Sequence, residues 1–488
     1  MSAGFKETTS FECGSELLKR QFLFSPGWKN LNHGNDLPSS QSISASGSRN
    51  HTLVSVALGA RPTYTCRGTK IFGTFPRTVR DALRQSQDEC EARPDSYIRF
   101  AYPEALDVSR QAVANLVNAP VDTCVFIPNA TTGVNTVLRS LNFAEGDVIL
   151  YFATIYGACE KTVAYITETT AAESIRIDDH IYPVSDDKLC DAFEKAIART
   201  KASGKQPKVA IFDTIVSLPG VRVPFERLVS TCRSHGILSL IDGAHSIGQI
   251  PLDLAQLDPD FFITNLHKWL FTPRGCALLY VPERNQGLIR STLPTSHGFT
   301  PLPSGGARIN NPLPPSAKSA FVVNFEFVGT VDNAPYICVP AALKFRETIT
   351  WQGKSGEDAI ISFTQHQARE AGKLVAEILS TEVMENGEAG DETGKAVKIA
   401  QWISATLVEE YNTFIAIIFY GGSFWVRLSA QIYLTMEDWD WAGKVLKQVC
   451  ERVSKGRLPD DNARVTRRFP VHHKCPAGPS TSMPLGTR

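Results

Sequence analysis

Asp260-Phe261-Phe262-Ile263-Thr264-Asn265-Leu266-His267-Lys268-Trp269-Leu270 lies downstream of Ile237-Leu238-Ser239-Leu240-Ile241-Asp242-Gly243-Ala244-His245. Each stretch is a short apolar run rich in β-branched and aromatic residues and closed by a charged group, the pattern of a strand buried on both faces. Gly243 lets the chain turn sharply after Asp242. Taken alone, an Asp-Gly after a strand is a turn or a helix cap, and a lysine beside aromatic neighbours is a surface residue with its stem on apolar carbon. A carboxylate and an amine at two strand ends mark a ligand crevice instead.

Working outward, short β-rich runs alternate with helical patterns from about residue 105 to 285. Strands are expected at 123–127, 147–152, 174–177, 208–212, 237–241, 260–264 and 276–281, with helices at 134–141, 186–202 and 225–235. The alternation predicts an α/β architecture, a mostly parallel sheet between helices with ligands at the carboxyl ends of the strands. Beyond about residue 305 long helical stretches (334–351, 356–378, 395–411, 437–453) flank two strand-like runs, 414–419 and 424–428, which reads as a smaller α+β domain. The expected organisation is therefore 1–105 as an N-terminal segment of the small domain, 106–305 as the large domain, 306–458 as the rest of the small domain and 459–488 as a disordered tail. Within the first segment, the Ser-rich stretch 35–71 has no sustained period and is expected to be a disordered insert.

With 488 residues, 43% hydrophobic, the chain can bury two sizeable cores. It has no run of apolar residues long enough to span a bilayer. Basic and acidic residues number 50 each, so no basic field exists to gather nucleic acid or anionic lipid, and a small molecule is the expected partner. Eleven cysteines are scattered mostly singly, without CxxC pairs or ligand spacing, so they read as buried thiols and no metal is expected. The first residues carry neither a signal nor a transit pattern, which predicts a cytoplasmic location.

An amine that can form a Schiff base and a carboxylate that can hold a pyridine nitrogen protonated are what pyridoxal 5'-phosphate requires of a protein. Lys268 and Asp242 supply them. The phosphate needs a nest of amides and hydroxyls, and Pro128-Asn129-Ala130-Thr131-Thr132-Gly133 offers one at a strand-to-helix turn, with Thr131 and Thr132 as hydroxyl donors. Tyr156, after the next strand, is placed to cover a ring and to donate a proton. His245, three residues beyond Asp242, is a candidate donor to the cofactor's ring oxygen.

The order of nest, aromatic residue, Asp-Gly-Ala-His and His-Lys-Trp resembles the class V aminotransferase family, which holds cysteine desulfurases and isopenicillin N epimerase. Further stretches, including Arg110-Gln-Ala-Val-Ala-Asn-Leu, His267-Lys-Trp-Leu-Phe-Thr-Pro-Arg-Gly-Cys276, Asn324-Phe-Glu-Phe-Val-Gly-Thr-Val-Asp332 and Phe424-Trp-Val-Arg-Leu-Ser, are similar to the fungal hercynylcysteine sulfoxide lyases of ergothioneine biosynthesis. The resemblance implies pyridoxal-phosphate-dependent transferase fold type I and a carbon–sulfur lyase acting by β-elimination, with epimerisation, or a cofactor-binding but impaired homologue, as the alternatives. It further implies Lys268 as the Schiff-base lysine, Asp242 as the pyridinium partner and Tyr156 as the stacking residue. Thr131, Thr132 and His267 are then phosphate contacts, and Asn32, His33 and Arg427 line the substrate side. Thr330 is implied to reach the neighbouring subunit's phosphate, which makes the expected assembly a homodimer.

Two stretches depart from the family pattern. Asn32-His33-Gly34 is split from Phe72-Gly73-Thr74-Phe75 by the Ser-rich insert, which looks like translated intron sequence. Between Val383 and Ala396 an apolar strand of the small domain is replaced by a polar, glycine-rich run, which predicts unpaired ladder groups in that domain.

Overall fold

The computed structural model describes residues 9–32, 53–57, 73–178, 182, 184–217, 220, 222–290, 317–381, 395–420 and 423–455. Two strands precede the large domain, β1 (Phe11–Glu12) and β2 (Leu53–Ala57). Seven more build its sheet: β3 (Cys124–Ile127), β4 (Asp147–Phe152), β5 (Glu173–Ile177), β6 (Gln206–Asp213), β7 (Leu238–Asp242), β8 (Phe261–Asn265) and β9 (Ala277–Tyr280). Their spatial order is β3-β9-β8-β7-β6-β4-β5. The runs read as strands from the sequence are these seven, displaced by at most two residues at any end.

Only β9 runs against its neighbours, pairing antiparallel with both β3 and β8. Because β9 opposes both, β3 points the same way as β8, and β8, β7, β6, β4 and β5 are mutually parallel. The carboxyl ends of six strands therefore open on one edge. Side chains alternate between two apolar layers: Phe126, Phe212, Ile241 and Phe262 pack on one face, Ile127, Ile211, Leu240 and Ile263 on the other. A sheet covered on both faces has no polar side, which is why its strands read as continuous apolar runs. Helices Asp186–Ala202 and Phe225–His235 fall at their expected residues, the second closed by Gly236 in the left-handed region. Two amphipathic helices, Arg77–Ala92 and Tyr102–Leu116, were not anticipated and pack with residues 334–347.

The small domain gathers an apolar core from both chain ends, with Leu18, Phe22 and Leu31 against Phe345, Ile403, Val426 and Trp439. Strands β10 (Ile349–Trp351) and β11 (Lys354–Ser355) form a hairpin, and β1 adds to it in parallel. The long helix expected over 334–351 is thus three elements, Ala334–Ile337, Val339–Glu347 and β10. Pro340 lacks an N–H and starts the second helix, while Gln352 and Gly353, both at positive φ, turn the hairpin.

Strands β12 (Ala416–Tyr420) and β13 (Ser423–Ser429) pair antiparallel, and β2 pairs with the other edge of β13 from Leu53↔Ser429 to Ala57↔Trp425. This corrects two expectations. Residues 53–57 of the Ser-rich insert are a strand, and the ladder of β13 is paired on both sides. The rest of the insert, the 383–394 stretch, residues 291–316 and the 459–488 tail lie outside the described residues. Among those described, no helix is long and apolar enough to cross a membrane.

Arg346 joins the domains. Its buried guanidinium pairs with Glu357, 2.6 Å from NH2 to Oε2, and donates to the carbonyl of Trp269 at 2.8 Å and to that of Gly248 at 3.4 Å. Trp269 is the residue after Lys268, so the clamp fixes the lysine's loop from behind. Replacing Arg346 by Ala leaves Glu357 and two carbonyls without their donor, and should cost about 3–5 kcal/mol of stability. Urea denaturation reads this directly, and a loss below about 1 kcal/mol would show that the clamp carries no load.

Candidate active site

The carboxyl edge of the sheet holds a cavity of about 490 Å³ lined by Pro128 to Thr131, Tyr156, Ala158, Asp213, Ser217, Asp242, Ala244, His245, Asn265, His267, Lys268, Arg274 and Gly275. Residues from β3, β4, β6, β7 and β8 meet there because each strand ends at the same edge. Asp242 is the last residue of β7 and only 2% exposed. Its Oδ1 accepts from the Ala244 amide at 3.0 Å and its Oδ2 from the Cys159 thiol at 3.3 Å. The turn demands Gly243, since a Cβ there would lie 2.5 Å from the Phe262 ring and 2.9 Å from the Ile263 carbonyl. Burial pushes the Asp242 carboxyl up, while Lys268, the Ala244 amide and the Cys159 thiol pull it back. In turn burial, followed by the charge of Asp242, raises the Cys159 thiol well above its ordinary range.

Lys268 stands on the one-turn helix Leu266–Trp269 that follows β8 directly. Two backbone amides, Leu266 and His267, donate to the Cys276 carbonyl and close the loop against β9. The Lys268 amine contacts His245 Nε2. Burial, then the nearby charge of Lys268, holds His245 well below its ordinary pKa, and the same causes bring His267 to about 4. Both imidazoles are therefore neutral at pH 7. His267 places Nδ1 2.8 Å from the Cys276 carbonyl, which fixes its proton on that nitrogen.

The nest is a helix N-terminus, Ala130–Ser140, capped by Asn129. Here the structure separates the two threonines. Thr131 lines the cavity, whereas Thr132 gives both its amide (2.9 Å) and its hydroxyl (3.1 Å) to Asn129 Oδ1. Thr132 is taken up by the Asn129 cap, because an Asx cap accepts the amide two or three positions on. Tyr156 lines the cavity at the N-cap of helix Gly157–Thr169.

Arg427, on β13, is 1% exposed and is not a lining residue. It reaches across to the cavity wall at Ser217, donating to that carbonyl at 3.3 Å, and within the small domain it donates to Asn32 Oδ1 at 3.0 Å, so Asn32 and Arg427 do come together. His33 lies outside the described residues. Thr330 is exposed, after helix Ala320–Glu326, and away from this cavity.

Four lining residues with polar side chains escaped the sequence reading: Asp213, Ser217, Asn265 and Arg274. Asp213 and Asn265 end β6 and β8 as Asp242 ends β7, so the rule that strand ends carry sites would have found them. Asn265 Oδ1 accepts from the Ala130 amide at 2.8 Å, tying the nest to the lysine strand. Ser217 and Arg274 lie in irregular loops, where no periodicity points.

A family model described as Aminotransferase class-V matches residues 76–311. The chain is 37% identical over 437 residues to the L-cysteine desulfhydrase-like protein lolT1 of Epichloe uncinata, covering 80% of this chain and 94% of that protein. The chain belongs to the class V aminotransferase family. It is 30% identical over 382 residues to the hercynylcysteine sulfoxide lyase of Schizosaccharomyces pombe, covering 78% of this chain and 92% of that one. In fold it is similar to the cystine C–S lyase C-DES solved with its product cysteine persulfide, at a TM-score of 0.57 and 18% identity over 78% of this chain and 95% of that one. The fold is type I, and this member of the class V family is a pyridoxal-phosphate-dependent carbon–sulfur lyase.

The residues present fit that cofactor: an amine, a buried carboxylate fixed by two donors and a helix N-terminus all open on one cavity. The lowered pKa of His267 couples folding to pH. Unfolded histidine takes up a proton near pH 6.5, while folded His267 does so only near 4, so it contributes stability above pH 6.5 that is lost as pH falls towards 4. The cofactor-stripped protein should weaken over that window by up to about 1.4 kcal/mol per pH unit for this residue, and His267→Gln should flatten the slope in urea titrations. Asp242, raised rather than lowered, works with the opposite sign, which is why the variant is compared with the parent at each pH.

Proposed function

We propose that the protein cleaves the carbon–sulfur bond of an S-substituted L-cysteine by β-elimination, and that hercynylcysteine sulfoxide is its substrate, in ergothioneine biosynthesis. One observation carries the elimination chemistry: an amine, a carboxylate and a neutral imidazole converge on the cavity, and no thiolate accompanies them. Among the described cysteines, Cys159 is fully buried against Asp242 and Cys338 is buried with its thiol pushed up to about 12. A sulfur-accepting thiolate of the desulfurase kind has no candidate there.

When bound, pyridoxal phosphate supplies the electron sink for negative charge developing at the substrate's α-carbon. Asp242 holds the proton on the ring nitrogen. Lys268 takes the α-proton, and the neutral His245 against its amine adds no positive charge to oppose protonation. The Cβ–S bond then breaks with its electron pair on sulfur, and Tyr156 protonates the departing group. For a sulfoxide the sulfur leaves as a sulfenic acid, and the three-carbon fragment hydrolyses to pyruvate and ammonia. Arg427, steadied by Asn32, clamps the substrate carboxylate, a role suited to a planar two-pronged donor. His33 would complete the substrate side. We further propose a cytoplasmic homodimer in which Thr330, exposed on its own subunit, contacts the phosphate held by the other.

A second reading, L-cysteine desulfhydration, is favoured by the higher identity to lolT1. A coupled assay for pyruvate separates the two. Release from hercynylcysteine sulfoxide, abolished in Lys268→Ala, is the expected result, and sulfide from L-cysteine with the sulfoxide untouched moves the assignment to the second reading. Arg427→Lys should raise KM by about tenfold or more and change kcat less, because a point charge replaces a bidentate fork.

A further inference from the structure

The helix N-terminus at the cavity offers fewer donors to a phosphate than its sequence promised. The Ala130 amide is taken by Asn265 Oδ1, the Thr132 amide and hydroxyl by Asn129 Oδ1, and the Gly133 amide by the Asn129 carbonyl at 3.1 Å. Thr131 remains as the lining residue of that turn with a hydroxyl to give. His267 is no stronger a partner: with its one proton on Nδ1 facing the Cys276 carbonyl, Nε2 presents a lone pair, which repels a phosphate dianion. Burial keeps that ring neutral.

Two basic side chains line the cavity, Lys268 and Arg274. The first is committed to the cofactor's aldehyde. Arg274 stands six residues on, in the loop that returns to β9, and its NH1 donates to the Gly73 carbonyl at 2.9 Å. That carbonyl belongs to a segment packed so closely on the lysine loop that a Cβ on Gly73 would fall 1.8 Å from the His267 carbonyl. The guanidinium is thus tethered at one nitrogen on the wall of the cavity that the nest also lines.

We infer that Arg274 is a phosphate-binding residue, its guanidinium giving the cofactor's phosphate the fixed positive charge and donors that the capped helix end and His267 lack. The inference rests on the family's cofactor and not on the substrate proposed above. Full-length protein stripped with hydroxylamine is titrated with pyridoxal phosphate and with unphosphorylated pyridoxal, following the Lys268-dependent absorption band. In Arg274→Gln, affinity for pyridoxal phosphate should fall about tenfold or more while that for pyridoxal is unchanged, and Arg274→Lys should recover most of the loss. An equal loss for both ligands, which a merely structural role through Gly73 would give, overturns the inference. So does unchanged affinity for pyridoxal phosphate, or a Lys variant as weak as the Gln one. Failure of the parent protein to bind either ligand would overturn it together with the cofactor assignment, an outcome separate from failure of the lyase assay alone.

Discussion

A carboxylate that must stay charged where water is nearly absent is the constraint around which this molecule is arranged. Isolating an ion at such a site costs several kcal/mol, and in its absence of partners the group would simply take a proton. Burial raises the Asp242 pKa, and three contributions from three different elements pull it back: the amine of Lys268, an amide of its own turn and a thiol from helix Gly157–Thr169. None can be supplied unless β7, β8 and the β4 connection end at one edge. The antiparallel β9 is what allows β3, and with it the helix end at Ala130, to arrive at that edge too.

The same edge carries a second carboxylate. Asp213 is in register with Asp242 on the adjoining strand, and the two side chains share a face of the sheet. These two carboxylates face one cavity with Lys268 and Arg274. Both histidines of the site are neutral because burial, followed by the charge of Lys268, disfavours an imidazolium there. The electrostatics are set by position in the sheet more than by any single pair.

Much of this was legible in the residues. The seven strands announced themselves as apolar runs because a sheet covered on both faces leaves no polar alternation to confuse with anything else. Asp242, Lys268, Tyr156, His245 and Thr131 were read from strand ends and a helix start, and His267 from the family resemblance; all six line the cavity. What could not be read had physical reasons. Thr132 and Thr131 are identical in type, and only the direction of the Asn129 cap separates them. Ser217 and Arg274 belong to loops placed by tertiary contacts, and Arg427, which reaches the wall from another domain, was named by the family resemblance alone. The Ser-rich insert misled because a five-residue strand in a polar context carries too little periodicity to register; its pairing with β13 is a property of the partner's open edge.

That insert joins Asn32 to Gly73, two residues held by the site itself, one through Arg427 and the other through Arg274 and the His267 carbonyl. A chain anchored at both ends pays an entropy that grows only with the logarithm of its length. Lengthening such a loop from a handful of residues to about forty costs roughly 2 kcal/mol. Five ladder positions on β13 lie within reach of offsetting that sum, one of them, Ser55, directly opposite Arg427. Genetic material added between two fixed points of an enzyme can in this way become thermodynamically silent, and a fold of this kind tolerates at its doorstep an insertion that it would not survive within a strand.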